Sequence, residues 1–128
     1  MTWLEYADHD WETARTMSAG TRPPYEIVAF HYQQCAEKCL KAALVALEEP
    51  VPKTHDLDYI ADLLEPHFPQ VVDIKADCDR LTAYAAASRY PGESAPIGEA
   101  IVHRAAESCE RIRLLMHSIL APYLSGNS

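Results

Sequence analysis

Prolines divide this sequence into segments, and within the segments apolar residues recur every three or four positions. Proline lacks a backbone donor and moves the preceding residue out of the helical region, so each group of prolines marks a boundary between elements. Such boundaries stand at Pro23–Pro24, at Pro50 with Pro52, at Pro66 and at Pro91. The three- and four-residue spacing is typical of amphipathic helices, and no segment alternates as a strand does. The chain is therefore predicted to be all-α.

The spacing predicts four long helices and one short helix. The first begins with a capping box, in which Thr2 stands three positions before Glu5. The predicted helices cover about residues 3–19, from 25 to just before Pro50, 57–64, 71–87 and 97–120. Long amphipathic helices with short connections predict an up-and-down four-helix bundle with an additional short helix. We expect a single domain over residues 1–124, and a disordered tail over 125–128 because those residues are few and polar.

The composition of the chain argues against some classes of function. A chain of 128 residues with 48% hydrophobic content is sufficient for one core, and its net charge of -8 argues against non-specific binding along a nucleic-acid backbone. A nucleic-acid role would need a local basic site. No segment has the roughly 18 continuous apolar residues of a membrane span, and the amino terminus is acidic where a signal peptide is basic. We therefore expect a cytoplasmic protein without membrane association.

Four cysteines fall inside predicted helices, where a reduced cysteine behaves as a small hydrophobe. They are Cys35, Cys39, Cys78 and Cys109. The first two are four residues apart on one helix, but further metal ligands would have to come from other helices. The sequence also lacks the glycine-rich loop that cradles phosphates in many nucleotide-hydrolysing enzymes. We predict buried thiols, no metal site and no cofactor.

The second helix carries a dense polar cluster in the stretch QQCAEKCLKA, residues 33–42. Spacing alone predicts a solvated face, on which Glu37 pairs with Lys41 four residues later. Two loops contain further polar residues of interest. In KTHDL, residues 53–57, Thr54 or Asp56 can cap the short helix, and His55 is either a neighbour of the cap or a site residue. Both interpretations of His55 remain open at this point.

The second loop is SRYPGESAP, residues 88–96. Tyr90 precedes a proline and is therefore biased towards extended geometry, so we expect Arg89 to project from a defined turn. The planar guanidinium of a fixed arginine matches a phosphate or a carboxylate. Arg89 is thus a candidate anion ligand. The structural alternative is an ion pair between Arg89 and a carboxylate of the second helix such as Glu37.

Together, QQ-x-x-EK-x-x-KA, THDL and RYP, in this order, resemble the small bacterial and archaeal HEPN-domain proteins, and the resemblance covers nearly the whole chain. It implies an up-and-down helical bundle, usually a homodimer. It also implies a nucleotide- or RNA-related function and a small nucleotidyltransferase as partner. On this basis we expect Arg89, Tyr90, Lys38 and His55 to form a nucleotide- or anion-binding site.

The ribonuclease branch of that family uses an arginine followed, after four to six residues, by a histidine. Arg89 has no histidine at that distance, whereas Arg111 and His117 have five residues between them. Six positions on a helix leave the two side chains roughly 120° apart, so they share a face poorly. Asp77 and Asp79 likewise point to different sides and are predicted to be a solvated pair. The favoured hypothesis is a dimeric binding module without strong catalysis, and the alternative is a ribonuclease toxin of a toxin–antitoxin pair that uses Arg111 and His117.

Overall fold

The computed structural model describes residues 2–89 and 97–125, and the side chains of 87–89 and 125 are excluded from the description. The elements are α1 (Trp3–Ser18), α2 (Tyr25–Ala46), α3 (Leu57–Leu64), a 3-10 helix (Pro69–Ile74), α4 (Lys75–Arg89) and α5 (Glu99–Ser125). No strand occurs within the described ranges. The predicted all-α bundle with one additional short helix is confirmed.

Side-chain caps fix the starts of two helices. The Thr2 hydroxyl accepts a hydrogen bond from the Glu5 amide at 3.2 Å, as the capping pattern predicts. At α3, the Asp56 carboxylate accepts from the amides of Asp58 and Tyr59 at 3.0 and 3.3 Å. Asp56 is therefore the α3 cap.

A backbone turn ends α2. Glu48 has a φ of 59°, in the left-handed region that favours glycine. The Glu49 amide donates to the Leu44 carbonyl at 2.9 Å, which satisfies a carbonyl of the last helical turn. The chain adopts this turn with a side chain present at position 48, at a cost in backbone energy.

Three helix boundaries differ from the prediction. The segment predicted as one helix over 71–87 is a 3-10 helix begun by Pro69, which leads directly into α4 at Lys75. α4 extends to Arg89, so the backbone of Arg89 is helical and does not lie in the predicted turn. α5 continues through Pro122 to Ser125, beyond the predicted end at Leu120. Residues 126–128 of the predicted tail lie outside the described residues.

α2 is the centre of the bundle. α1, α4 and α5 each pack on it, and α3 packs between α2 and α4. Alanines on α2, including Ala29, Ala36 and Ala43, are fully buried, and their small size permits close packing of the neighbouring helices. Within the described residues the backbones of α1 and α5 do not approach each other closely, although both helices pack against α2. A groove therefore runs between α1 and α5, with α2 as its floor.

All four cysteines are free and buried, as predicted. Burial raises the pKa of the Cys78 thiol, so that this side chain stays neutral in the core. Residues 2–89 and 97–125 contain no group of three or more side chains arranged to hold a metal ion. Across the same part of the chain, no helix combines the length and hydrophobicity of a membrane span.

Candidate functional site

The polar cluster of α2 is buried, which corrects the prediction of a solvated face. Gln33, Glu37 and Lys41 are 0%, 3% and 6% exposed, respectively. Burial of this kind is costly for charged groups unless each one is paired and hydrogen-bonded. The partners come mostly from α2 itself and from the KTHDL loop.

Glu37 is at the centre of these contacts. Its carboxylate accepts from Lys41 Nζ at 3.0 Å and from His55 Nδ1 at 2.8 Å. Gln33 Nε2 donates to the His55 carbonyl at 2.8 Å, and Gln34 Nε2 donates to Gln33 Oε1 at 2.8 Å. We call these five residues, Gln33, Gln34, Glu37, Lys41 and His55, the α2 polar network. The network fastens the KTHDL loop to α2 through both the backbone and the side chain of His55.

Lys38 lies outside this network. Its Nζ donates to Asp10 of α1 at 2.5 Å and lies 5.8 Å from the centre of the Tyr6 ring. Asp10 also accepts from His31 Nδ1 at 3.0 Å. Lys38 is therefore held by α1, whereas His55 is held by Glu37. In the described part of the chain, no contact joins these two predicted anion ligands.

His55 opens onto a surface cavity of about 420 Å³. We call it the His55 cavity; its lining residues are Lys53, Thr54, His55, Asp56, Thr82, Ala85 and Ala86. The His55 side chain is 57% exposed although Glu37 holds its Nδ1. The Leu57 amide donates to Thr82 Oγ1 at 3.2 Å, which ties the loop to α4. The sequence pointed to His55 but gave no local signal for Thr82.

Arg89 is the last residue of α4, the helix that forms one wall of this cavity, and Tyr90 is the next residue in the sequence. Arg89 stands four residues after Ala85, which corresponds to about 6 Å along the helix. Its backbone therefore lies at the same end of the bundle as the His55 cavity. The Arg89 side chain and all of Tyr90 lie outside the described residues. Glu37, the predicted structural partner of Arg89, already binds Lys41 and His55.

Arg111 belongs to a different cluster, which the sequence did not reveal. Its Nε and Nη2 donate to Asp77 Oδ1 at 3.0 and 2.8 Å. Ser108 and Arg80 donate to the same oxygen at 2.9 and 3.0 Å. Asp77 is 4% exposed, so the prediction of a solvated Asp77–Asp79 pair is wrong for Asp77. The hydrogen bonds to Asp77 raise the pKa of Arg111 and hold its guanidinium against α4.

His117 lies further along α5 and is partly buried. Within the described residues no contact joins it to Arg111, whose guanidinium binds Asp77. The spacing that is typical of the ribonuclease branch is present in the sequence. The single chain does not bring the two side chains together on one face.

Comparisons with known proteins agree with this architecture. The HEPN domain profile matches residues 1–119. Among solved structures, the chain is similar to an archaeal HEPN homologue, with 28% sequence identity and a TM-score of 0.72. That match covers 92% of this chain and 94% of the other chain. The comparison with curated proteins finds no match. The resemblance carried by QQ-x-x-EK-x-x-KA, THDL and RYP is confirmed, and the chain belongs to the HEPN domain family.

Proposed function

We propose that this HEPN domain is a dimeric binding module that receives the phosphate of a nucleotide in the His55 cavity and has no strong catalytic activity of its own. The observation that carries the proposal is the fixed position of His55 at a cavity that also contains Lys53. The exposed Lys53 ammonium donates hydrogen bonds to an anion, and the His55 imidazole, whose Nδ1 binds Glu37, donates through Nε2 when both ring nitrogens carry protons. Arg89 and Tyr90 complete the proposed site from the end of α4.

The nucleotide is proposed to bind by two kinds of contact. Its phosphate meets Lys53, His55 and the Arg89 guanidinium, and its base stacks on the Tyr90 ring. Lys38, one of the predicted anion ligands, has no part in this proposal because its ammonium binds Asp10. Asp56 lines the same cavity, but its carboxylate is used in capping α3. The proposed site therefore keeps three of the four predicted residues, His55, Arg89 and Tyr90, and has Lys53 in place of Lys38.

The alternative is a ribonuclease toxin that uses Arg111 and His117. Its support is the spacing of the two residues and the 53% exposure of the Arg111 side chain. General acid–base catalysis needs both groups within hydrogen-bond reach of the reacting atoms. Three hydrogen bonds from Arg111 to Asp77 favour a structural role for this arginine. We therefore favour the binding module.

Exposed apolar side chains support the proposed homodimer and the proposed nucleotidyltransferase partner. Val45, Tyr123 and Leu124 are 49%, 42% and 66% exposed at one end of the bundle. They line an apolar depression of about 330 Å³ between α1, α2 and α5. Light scattering at micromolar concentration is expected to give twice the mass of one chain. A monomer that persists with and without a nucleotidyltransferase would contradict the proposed assembly.

Calorimetric titration with ATP and AMP tests the proposed ligand. We expect wild type to bind, and we expect Arg89→Ala and His55→Gln to weaken binding by roughly tenfold each, the loss typical of a charge-assisted hydrogen bond. His67→Gln is the matched control, because His67 is also an exposed loop histidine near a carboxylate but lies outside the His55 cavity. Circular dichroism checks that all variants fold. Absence of binding to wild type, or equal binding by Arg89→Ala, would contradict the proposal.

A further inference from the structure

The groove between α1 and α5 contains a second cavity, which is separate from the His55 cavity. Near the middle of the groove, Arg113 of α5 reaches across to Asp8 of α1, with 3.3 Å between Nη2 and Oδ1. Towards the carboxyl end of α1 the groove opens into a cleft of about 470 Å³. Arg15 and Ser18 form one wall, and His103 and Glu107 of α5 form the other. Tyr32 of α2 also lines the cleft, and we call it the Tyr32 cleft.

Tyr32 has an unusual position for a buried tyrosine. It is 2% exposed, and its ring packs edge-on against Trp11 with 5.5 Å between the ring centres. Buried tyrosine hydroxyls usually find a hydrogen-bond partner. Among the described residues the Tyr32 hydroxyl has no such partner, and its oxygen is not one of the fully enclosed polar atoms, so it reaches the surface of the cleft. Burial raises the pKa of Tyr32, so the phenol keeps its proton and is available as a donor to a group inside the cleft.

Arg15 supplies a positive charge beside this hydroxyl. Its guanidinium lies 5.6 Å from the centre of the Trp11 ring, and its charge acts on Tyr32. Within residues 2–89 and 97–125, no carboxylate forms an ion pair with Arg15. A donor hydroxyl without an acceptor and a guanidinium without a counter-ion therefore line the same cleft. Both groups are complementary to an anionic oxygen.

Glu107 adds a second requirement for the ligand. Its exposed carboxylate lines the same cleft, on the α5 wall that faces the α1 wall holding Arg15. A simple anion near Glu107 makes no favourable contact with this carboxylate, because the anion has no hydrogen-bond donor. A ligand that also carries an ammonium or hydroxyl donor satisfies it, because an ionised carboxylate only accepts hydrogen bonds.

We propose that the Tyr32 cleft binds a small anion, phosphate or carboxylate, that also carries a donor group, with the anion on Tyr32 and Arg15 and the donor on Glu107. This site is independent of the proposed nucleotide site. Its residues come from α1, α2 and α5, whereas the His55 cavity is formed by the KTHDL loop and α4. An experiment can therefore disprove binding at one site without disproving binding at the other.

Titrations of the full chain, followed by NMR of the backbone amides, test the proposal with three probes. Phosphoethanolamine carries a phosphate and an ammonium, β-alanine carries a carboxylate and an ammonium, and inorganic phosphate lacks the donor. We expect phosphoethanolamine or β-alanine to shift the amides of Ser18 and His103 and to bind more tightly than inorganic phosphate. Whichever of these two probes binds more tightly shows whether the cleft prefers a phosphate or a carboxylate. No shift at these amides with any probe would overturn the proposal.

Three substitutions measure how much Tyr32, Arg15 and Glu107 each contribute to probe binding. Tyr32→Phe removes one oxygen and keeps the ring, and we expect it to weaken binding of the preferred probe roughly tenfold. Arg15→Gln is expected to weaken binding by roughly as much. Glu107→Gln is expected to abolish the preference over inorganic phosphate. Lys53→Gln is the matched control, since it removes an exposed cation from the His55 cavity and should leave the probe-induced shifts of the Ser18 and His103 amides unchanged.

Urea unfolding confirms that each variant is folded before binding is compared. The proposal is overturned if Tyr32→Phe binds the preferred probe as tightly as wild type. It is equally overturned if Lys53→Gln weakens binding as much as Arg15→Gln, because the anion would then occupy the His55 cavity.

Discussion

The α2 polar network and the Tyr32 cleft both place polar groups of α2 inside the bundle, but they differ in how those groups are satisfied. Glu37 is buried with a partner on each carboxylate oxygen. The Tyr32 side chain is equally buried, but its hydroxyl lies at the surface of the Tyr32 cleft and has no hydrogen-bond partner in the described part of the chain. A buried polar group that is fully paired holds a fold together, whereas a hydroxyl at the surface of a cleft contributes little to stability and is available to a ligand. Removing the two kinds of group should therefore have different consequences.

The largest effect is expected for Glu37→Gln. The substitution leaves the buried Lys41 ammonium without its counter-charge and replaces one of the two acceptor oxygens of residue 37 by an NH2 donor, so we expect a loss of about 3–5 kcal/mol in the free energy of unfolding. Urea denaturation measures it. Tyr32→Phe is the matched comparison on the same helix and should remain within about 0.5 kcal/mol of wild type. Equal losses in the two variants would remove the distinction between the network and the cleft.

Asp77→Asn is expected to have the next largest effect. Asp77 accepts hydrogen bonds from Arg80, Ser108 and Arg111 across the α4–α5 interface, so loss of its charge should cost about 2–3 kcal/mol. Asp79→Asn is the control, because Asp79 is exposed on the same helix. The difference between the two urea midpoints measures the contribution of the cluster. A stability of Asp77→Asn equal to that of wild type would contradict a structural role for Arg111.

Particular residues show how much the sequence could predict. Apolar spacing and proline positions identified all five helices, and the sequence pattern identified the Thr2 cap, because these features depend on neighbours in the chain. The burial of Gln33 and Glu37 depends on His55, which lies about twenty residues away and folds back onto α2. The Asp77–Arg111 contact joins residues 34 positions apart on two helices. No local pattern encodes such contacts, so both clusters were predicted to be solvated or were missed.

Glu48→Gly should have a smaller effect, in the opposite direction. Glu48 adopts a left-handed conformation that costs a residue with a side chain about 1 kcal/mol relative to glycine. We expect the variant to be more stable than wild type by about that amount. Thermal or urea denaturation measures the change, and Glu49→Gly serves as the control at the next position. A decrease in stability at position 48 would show that contacts of the Glu48 side chain outweigh its backbone cost.

The smallest effect on stability is expected for Asp58, in the first turn of α3. Burial, together with the charges of Asp79 and Asp56, raises the pKa of Asp58 to about 6. Because the folded pKa exceeds the unfolded value of 3.8, stability should fall as pH rises from about 4 to about 6. Asp58→Asn should remove this part of the pH dependence, with a change of less than about 1 kcal/mol because the group is partly exposed. Urea midpoints between pH 4 and pH 7 provide the test, and identical profiles for the two proteins would contradict it.

Mapping AMP binding by NMR is the most direct test of the central claim, that this HEPN domain binds a nucleotide in the His55 cavity. Titration of the isotope-labelled full chain follows every backbone amide at once. The account predicts shifts at residues 53–56 and along the last turn of α4, with little change at Ser18, His103 and Glu107. Shifts confined to the Tyr32 cleft, or no shifts at millimolar AMP, would contradict it.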